Sequence, residues 1–425
     1  MIQKTRKEVL VRYINRHTRY NIFNFIKWIV LAVITGLVVG GASSIFAKCI
    51  VWASAYRTAH TMIFLFLPLG GVFIVFLYEK YGSQDGGTNQ VLATIKSRDS
   101  IPLISAPLIF ISTLLTHLVG GSAGREGASI QFGGSIGSFL SRLAKLDQED
   151  THVMIMCGMS AAFAAVFGTP MAAAVFAIEV ASVGVMYYSA LCPCMIAAII
   201  ASKFALQFGV SPETFQVVEI PKLTIVNGLK MGVIAVGCSL LCILFCLMLK
   251  YTGLVYGKYM KNPYLRIFVA GCAIILLTSL LGTGDYMGAG SNLIERAVEE
   301  GQARPLDFFW KMILTALTMR AGYRGGEIVP AFSIGATFGC VLGHALGFSP
   351  EIAAAAGMVA LFCGVTNCPV TAMLISFELF GFDGVSFYLI AISISYALSG
   401  YYSLYKDQTI VYSKYKARYV NHKTS

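Results

Sequence analysis

The chain has 425 residues, 56% of them hydrophobic and only 12% charged, with a formal net charge of +11. Such a composition belongs in a bilayer and excludes the ordinary water-soluble classes. The positive balance does not point to a nucleic-acid partner, because the basic stretches are short and flank apolar spans.

In chain order, the first element is a basic helix running to about Lys27, with Lys4, Arg6, Lys7, Arg12, Arg16 and Arg19 along it. At the other end Lys406, Lys414, Lys416, Arg418 and Lys423 follow the last apolar run. Basic flanks stay on the cytoplasmic side of a membrane, so both termini are assigned there, with an even number of complete crossings between them. The expected domains are a basic cytoplasmic segment (1–27), a first membrane repeat (28–215), a second (216–403) and a cytoplasmic tail (404–425). The tail is far too short for a regulatory domain, and the whole suits a prokaryotic inner (plasma) membrane.

Apolar runs recur at 29–39, 62–76, 231–249 and 268–281. The longest comes close to the roughly 20 residues a helix needs to cross a bilayer. Runs at 130–143 and 331–346 are too short or too glycine-rich to span alone, and read as half-helices or tilted helices buried among neighbours. Polar turns at Gly82-Ser83-Gln84-Asp85-Gly86-Gly87 and Gly282-Thr283-Gly284-Asp285 precede corresponding helices, with Asn89 and Asn292 near their starts. A polar joint at 209–223 separates the halves. The eleven cysteines are scattered, mostly through apolar runs, and no metal or cofactor is expected.

The halves are copies. Gly158-Met159-Ser160-Ala161-Ala162-Phe163, then Pro170 and Glu179, returns as Gly357-Met358-Val359-Ala360-Leu361-Phe362, then Pro369 and Glu378. The offset stays constant: 357 minus 158, 369 minus 170 and 378 minus 179 all give 199. Upstream, Gly87-Thr88-Asn89 matches Gly290-Ser291-Asn292, and Gly124-Arg125-Glu126-Gly127 matches Gly325-Gly326-Glu327-Ile328. In a membrane chain, paired glycine-broken helix starts point to a transport site where two repeats meet. If each half crosses an odd number of times the copies face opposite leaflets, and the expected fold class is then an all-α polytopic membrane protein built from an inverted, antiparallel repeat with tilted and broken helices.

The first turn of a helix presents unpaired N–H groups and about half a positive charge. Several such ends aimed at one point hold an anion without a full cation in the bilayer, and glycine lets the backbone approach it. Glu126 lies within one of these turns. Its carboxylate can occupy the anion site itself and leave when protonated or displaced; otherwise it satisfies the helix dipole or pairs with Arg125. Glu327 is its counterpart, either a second proton-handling carboxylate or a plain helix-start acid. Glu179 and Glu378 read as architectural, His117 as a satisfied core histidine, and Tyr405, on its own, as an interfacial aromatic. An intramembrane enzyme finds no support, there being no His-Glu-x-x-His metal motif and no paired intramembrane aspartates.

At these residues the chain resembles the CLC family of anion channels and anion/proton antiporters, over about 28–405. Gly124-Arg125-Glu126-Gly127 is similar to that family's first-half signature, and Gly325-Gly326-Glu327-Ile328-Val329-Pro330 stands where its second-half signature stands. The resemblance implies halide transport, with Glu126 as the gating glutamate and Tyr405 closing the inner side of the anion site. Anion contacts fall to Gly87, Thr88, Asn89, Gly124, Arg125, Gly127, Ile328 and Val329. It also implies a homodimer in lipid, one pore per subunit, exchanging halide (chloride or fluoride) for protons. Three departures stand out. The family's anion-coordinating serine motif is replaced by Gly86-Gly87-Thr88-Asn89-Gln90, the proline after its first signature is Ala128, and its internal proton-transfer glutamate is Val180. An acid after Gly-Gly and a missing internal glutamate resemble the fluoride/proton antiporter branch, although that branch carries methionine or asparagine near the missing serine. Fluoride is mildly favoured over chloride. The alternative is a passive chloride channel of the same fold, since Val180 cannot carry a proton.

Overall fold

Two sets of eight helices follow one another in the same order. In this computed structural model, which describes residues 2–82, 86–97 and 101–424 (backbone alone for 2–20), the first set is α1 (Ile2–Ala59), α2 (Leu67–Tyr81), α3 (Thr88–Thr94), α4 (Ser105–Leu118), α5 (Glu126–Leu143), α6 (Gln148–Phe167), α7 (Pro170–Glu179) and α8 (Leu191–Gln207). The second is α9 (Ile225–Tyr259), α10 (Pro263–Leu281), α11 (Ser291–Val298), α12 (Asp307–Ala321), α13 (Ile328–Ala345), α14 (Pro350–Thr366), α15 (Pro369–Phe380) and α16 (Val385–Leu398). Short helices fall in matching places: α3 has 7 residues and α11 has 8, while α5 and α13 have 18 each. Seven helices among the described residues are long and apolar enough to cross a membrane.

Local chemistry sets the duplicated boundaries. The Asp147 side chain accepts the Asp150 N–H to start α6, and Ser349 accepts that of Ile352 to start α14. Each helix then stops in a left-handed residue, Gly168 (φ 76°) and Asn367 (φ 59°), the two residue types that take this conformation most readily. A proline opens each following helix, Pro170 for α7 and Pro369 for α15.

The copies are related by a two-fold. Glu179, ending α7, accepts the N–H groups of Val370 (3.1 Å) and Thr371 (2.9 Å) at the start of α15. Glu378, near the end of α15, accepts those of Met171 and Ala172 at the start of α7, both at 2.9 Å. Each acid caps the other copy's helix, which requires α7 and α15 to run antiparallel. The architectural reading of both glutamates thus acquires a stated contact.

Glycine lets α5 close on α6 and α13 on α14. A β-carbon at Gly133 would stand 2.6 Å from that of Ala162, and one at Gly335 would stand 2.9 Å from that of Leu361. The core is continuous through both repeats. Phe167 meets Phe332 edge-on at 6.3 Å, and Phe332 in turn lies 5.2 Å from Phe362. Large apolar residues left exposed on α9 and α10, among them Leu229, Leu240, Leu276 and Leu280, are the face offered to lipid.

Several details differ from the expectations. α1 runs unbroken through Lys27 and Trp28, so no break in helix marks residue 27. α13, read as too short to span, begins at Ile328, three residues before the apolar run at 331–346, and its 18 residues make it one of the seven long apolar helices among the described residues. Within the expected polar turn at 82–87, residues 83–85 lie outside the described residues. The tail is not merely extended: β1 (Ser182–Val183) pairs in parallel with β2 (Thr409–Tyr412), which pairs antiparallel with β3 (Tyr419–Lys423).

Candidate functional site

The two repeats touch backbone to backbone just before α5 and α13. The N–H of Gly124 donates to the carbonyl of Gly326, and the N–H of Gly326 donates back to that of Gly124, both at 2.8 Å. This antiparallel bridge, isolated among the described residues, joins the two glycine-rich helix starts directly. Only glycine permits it, since a β-carbon on Gly326 would sit 2.5 Å from the Gly127 nitrogen, and one on Gly325 would sit 2.7 Å from the Ala123 β-carbon.

Glu126 is fully buried at this junction. One carboxylate oxygen, Oε1, accepts the Arg125 N–H at 3.0 Å; the other, Oε2, accepts the Val329 N–H at 3.2 Å. The carboxylate of the first repeat therefore occupies the start of α13, a helix of the second. Arg125 does not pair with it through its side chain: the guanidinium makes an ion pair with Glu213, in the joint between the repeats. That leaves Glu126 held by N–H donors, the arrangement that would equally hold a small anion. Gly127, which follows Glu126, and Ile328 and Val329, which open α13, are all buried.

A second group gathers in a cavity of about 190 Å³. It contains Gly87, Thr88, Asn89, Glu327 and Tyr405, and the three last-named come from three separate parts of the chain. Gly87 is the N-cap of α3 with φ 66°, a conformation glycine takes without strain. The Thr88 hydroxyl donates to the Gly127 carbonyl at 3.1 Å, so in this arrangement its proton is committed to the backbone, whereas the buried Oδ1 of Asn89 has no partner among the described residues. Glu327 does not mirror Glu126 in its contacts. Its carboxylate lies 4.0 Å from Arg320 and faces the cavity, not the opposite helix start.

Sequence reasoning missed three cations. Arg320 and Arg324 line the cavity, each with a buried Nε–H that has no hydrogen-bond partner among the described residues. Two arginines within six residues of Gly-Gly, behind an apolar stretch, were the available signal. Lys311 is fully buried, against the expectation that no full cation lies near the site. Its ammonium donates to the carbonyls of Tyr286 (3.0 Å) and Gly288 (2.7 Å) and to Ser122 Oγ (3.0 Å), so all three donors fix backbone and hydroxyl. Ser122 and Ser135 both sit in Gly-x-Ser-x-Gly stretches, a nucleophile pattern that the sequence reading overlooked. Both are buried, Ser135 donates to the Gln131 carbonyl, and Ser122 receives an ammonium that is a donor and not a base. His117 is held through Nδ1 to the Thr113 carbonyl at 3.0 Å and is fully enclosed, with Nε2 unpartnered.

Comparison with known proteins identifies the relatives of this arrangement. The family model described as voltage gated chloride channel matches residues 70–400. A "chloride/fluoride channel protein" of Pseudomonas syringae pv. tomato is 33% identical over 399 residues, covering 92% of this chain and 88% of that protein. The crystal structure of a CLC-type fluoride/proton antiporter superposes with a TM-score of 0.88 at 34% identity, covering 91% of this chain and 98% of the other. A slow cyanobacterial Cl−/H+ antiporter shares the fold, with a TM-score of 0.77 at 19% identity over 88% of this chain and 94% of that one.

Proposed function

The chain belongs to the voltage-gated chloride channel (CLC) family, and on that premise we propose that it exchanges a halide for protons across a membrane, with fluoride favoured over chloride. The observation that carries this reading is the Glu126 carboxylate at the start of α13, bound by the Val329 N–H at 3.2 Å. An anion arriving at that helix start must displace the carboxylate. Displacement exposes the acid to protonation, and a neutral acid no longer competes for the N–H donors. Halide and carboxylate thus alternate at the helix start: the acid holds a proton while the halide is bound and gives it up on returning to the N–H donors, which couples the two ions. The preference for fluoride draws on the two relatives whose descriptions include that ion and on donors that are all N–H groups of fixed backbone.

Glu126 acts as gate and proton carrier in this scheme. Glu327, in the cavity beside Tyr405, is the second proton-handling group, and Tyr405 closes the inner side. Gly124, Gly127, Ile328 and Val329 supply the close-approaching backbone. Arg125 orients it through Glu213, while Gly87, Thr88 and Asn89 line the inner approach. The protein works in transport and not as an enzyme. It sits in the inner membrane as a homodimer with both termini cytoplasmic, following the basic flanks and the family resemblance.

A passive channel is the second reading, and Val180 favours it: fully buried at the end of α7, it offers no proton-carrying side chain where chloride antiporters of the family have one. The reversal potential under a pH gradient separates the two. A shift with pH supports exchange, and a conducting preparation whose reversal potential follows the halide gradient alone supports the channel.

A further inference from the structure

Tyr405 lies in irregular backbone beyond α16, so no helix of its own sets its place in the cavity. The residue that does so is Gln408. It is fully buried, and both ends of its amide are engaged. Nε2 donates to the carbonyls of Val180 (2.9 Å) and Thr366 (2.6 Å), while Oε1 accepts from Asn367 Nδ2 (2.9 Å) and Ser403 Oγ (2.8 Å). Carbonyls only accept, so the two of them fix which end of the amide is nitrogen. A buried amide with four partners is rigid, and each partner it lost would leave an unsatisfied polar group.

This network closes on Tyr405 from both sides. The Ser403 hydroxyl that Gln408 engages also accepts the Tyr405 N–H at 3.1 Å, and the Gln408 N–H donates to the Tyr405 carbonyl at 3.2 Å. From beyond the hairpin, Thr424 Oγ1 donates to that same carbonyl at 2.7 Å, and the Thr424 N–H bonds the Gln408 carbonyl at 3.2 Å. Thr424 directly follows β3, which β2 and β1 tie to the end of α7. Lys414, between the strands, anchors the hairpin to Asn367 and to Ser399 Oγ at 3.0 Å.

We propose that Gln408 and Thr424 are positioning residues for Tyr405: the C-terminal hairpin is a clamp that keeps the tyrosine at the inner mouth of the pore and so prevents anion slip without proton movement. The proposal rests on the reading of Tyr405 as the inner closure. It turns the last strands of the chain into part of the transport machinery.

The test measures protons moved per anion in proteoliposomes of the full chain, comparing Thr424→Val, Gln408→Leu and Tyr405→Ala with wild type, with size-exclusion profiles as the control for folding. Thr424→Val keeps the side-chain shape and leaves the Gln408 side-chain amide intact, so it removes the hydroxyl tether to the Tyr405 carbonyl, together with the longer contact of that hydroxyl to the Gln408 carbonyl (3.3 Å). Thr424→Val is expected to raise slip about fivefold, the shift in a held-to-released equilibrium from one lost hydrogen bond, and Gln408→Leu, which loses all four amide bonds, is expected to raise it further. Neither should add slip on a Tyr405→Ala background. Wild-type stoichiometry in Thr424→Val, beside a Tyr405→Ala that slips, overturns the clamp and leaves the inner-closure reading standing, even where Gln408→Leu fails to fold. Wild-type stoichiometry in Tyr405→Ala overturns the inner-closure reading, and the clamp with it.

Discussion

Glu126 and Val329 belong to opposite repeats, and Oε2 of the first accepts the N–H of the second at 3.2 Å. The contact exists because the Gly124 and Gly326 backbones pair just upstream, which puts the start of α13 within reach of the first residue of α5. An acid and an anion share the same chemical demand, N–H donors on a helix start, and one set of donors cannot serve both. Competition is thus a property of the geometry, before any voltage or gradient is applied.

The glycine junction is the part least tolerant of change. Gly326→Ala places a β-carbon 2.5 Å from the Gly127 nitrogen, so backbone has to shift where donors are aimed. Halide flux in reconstituted vesicles should be lost while far-UV circular dichroism keeps its helical signature. Normal flux would mean that the two repeats need not approach this closely.

Glu179 and Glu378 are expected to matter for stability, Glu179 the more, since it is buried and the Thr371 hydroxyl also donates to it. Glu179→Gln and Glu378→Gln each remove a charge bound by two backbone N–H groups of the other repeat. Each is expected to cost about 2 kcal/mol, the scale for hydrogen bonds to a charged group. Thermal unfolding in detergent should show both melting points lowered, that of Glu179→Gln by more, with the protons moved per anion unchanged.

Arg320 and Arg324 bring positive charge and unpartnered N–H groups to the cavity beside Tyr405. Arg320→Gln and Arg324→Gln should weaken halide recruitment from that side about tenfold, the effect of losing roughly 1.4 kcal/mol of attraction. The halide concentration for half-maximal flux reports it, and added salt should shrink the difference between wild type and variants.

Much of this was legible in the residues. The 199-residue offset between Glu179 and Glu378 announced the duplication, and the caps those two acids make are its three-dimensional counterpart. The helix starts at Glu126 and Ile328 were marked by glycines that the backbone pairing in fact requires. What could not be read was long-range pairing. Arg125 stands beside Glu126 in sequence, yet its side chain goes to Glu213, because the joint between repeats folds back over the junction. Lys311 looked like any helix-borne lysine until three acceptors from two distant segments closed on it. The three-stranded sheet of the tail was hidden for the same reason: β2 pairs with β3 nearby, but also with residues 182–183, far upstream.

Proton movement driven by a halide gradient in proteoliposomes, wild type against Glu126→Gln, tests the competition at the start of α13 most directly. Wild-type protein should pump protons against their gradient as halide runs down its own. The glutamine variant, which keeps an acceptor oxygen but cannot carry a proton, should move none. Proton pumping by Glu126→Gln at the wild-type ratio would contradict the role assigned to Glu126.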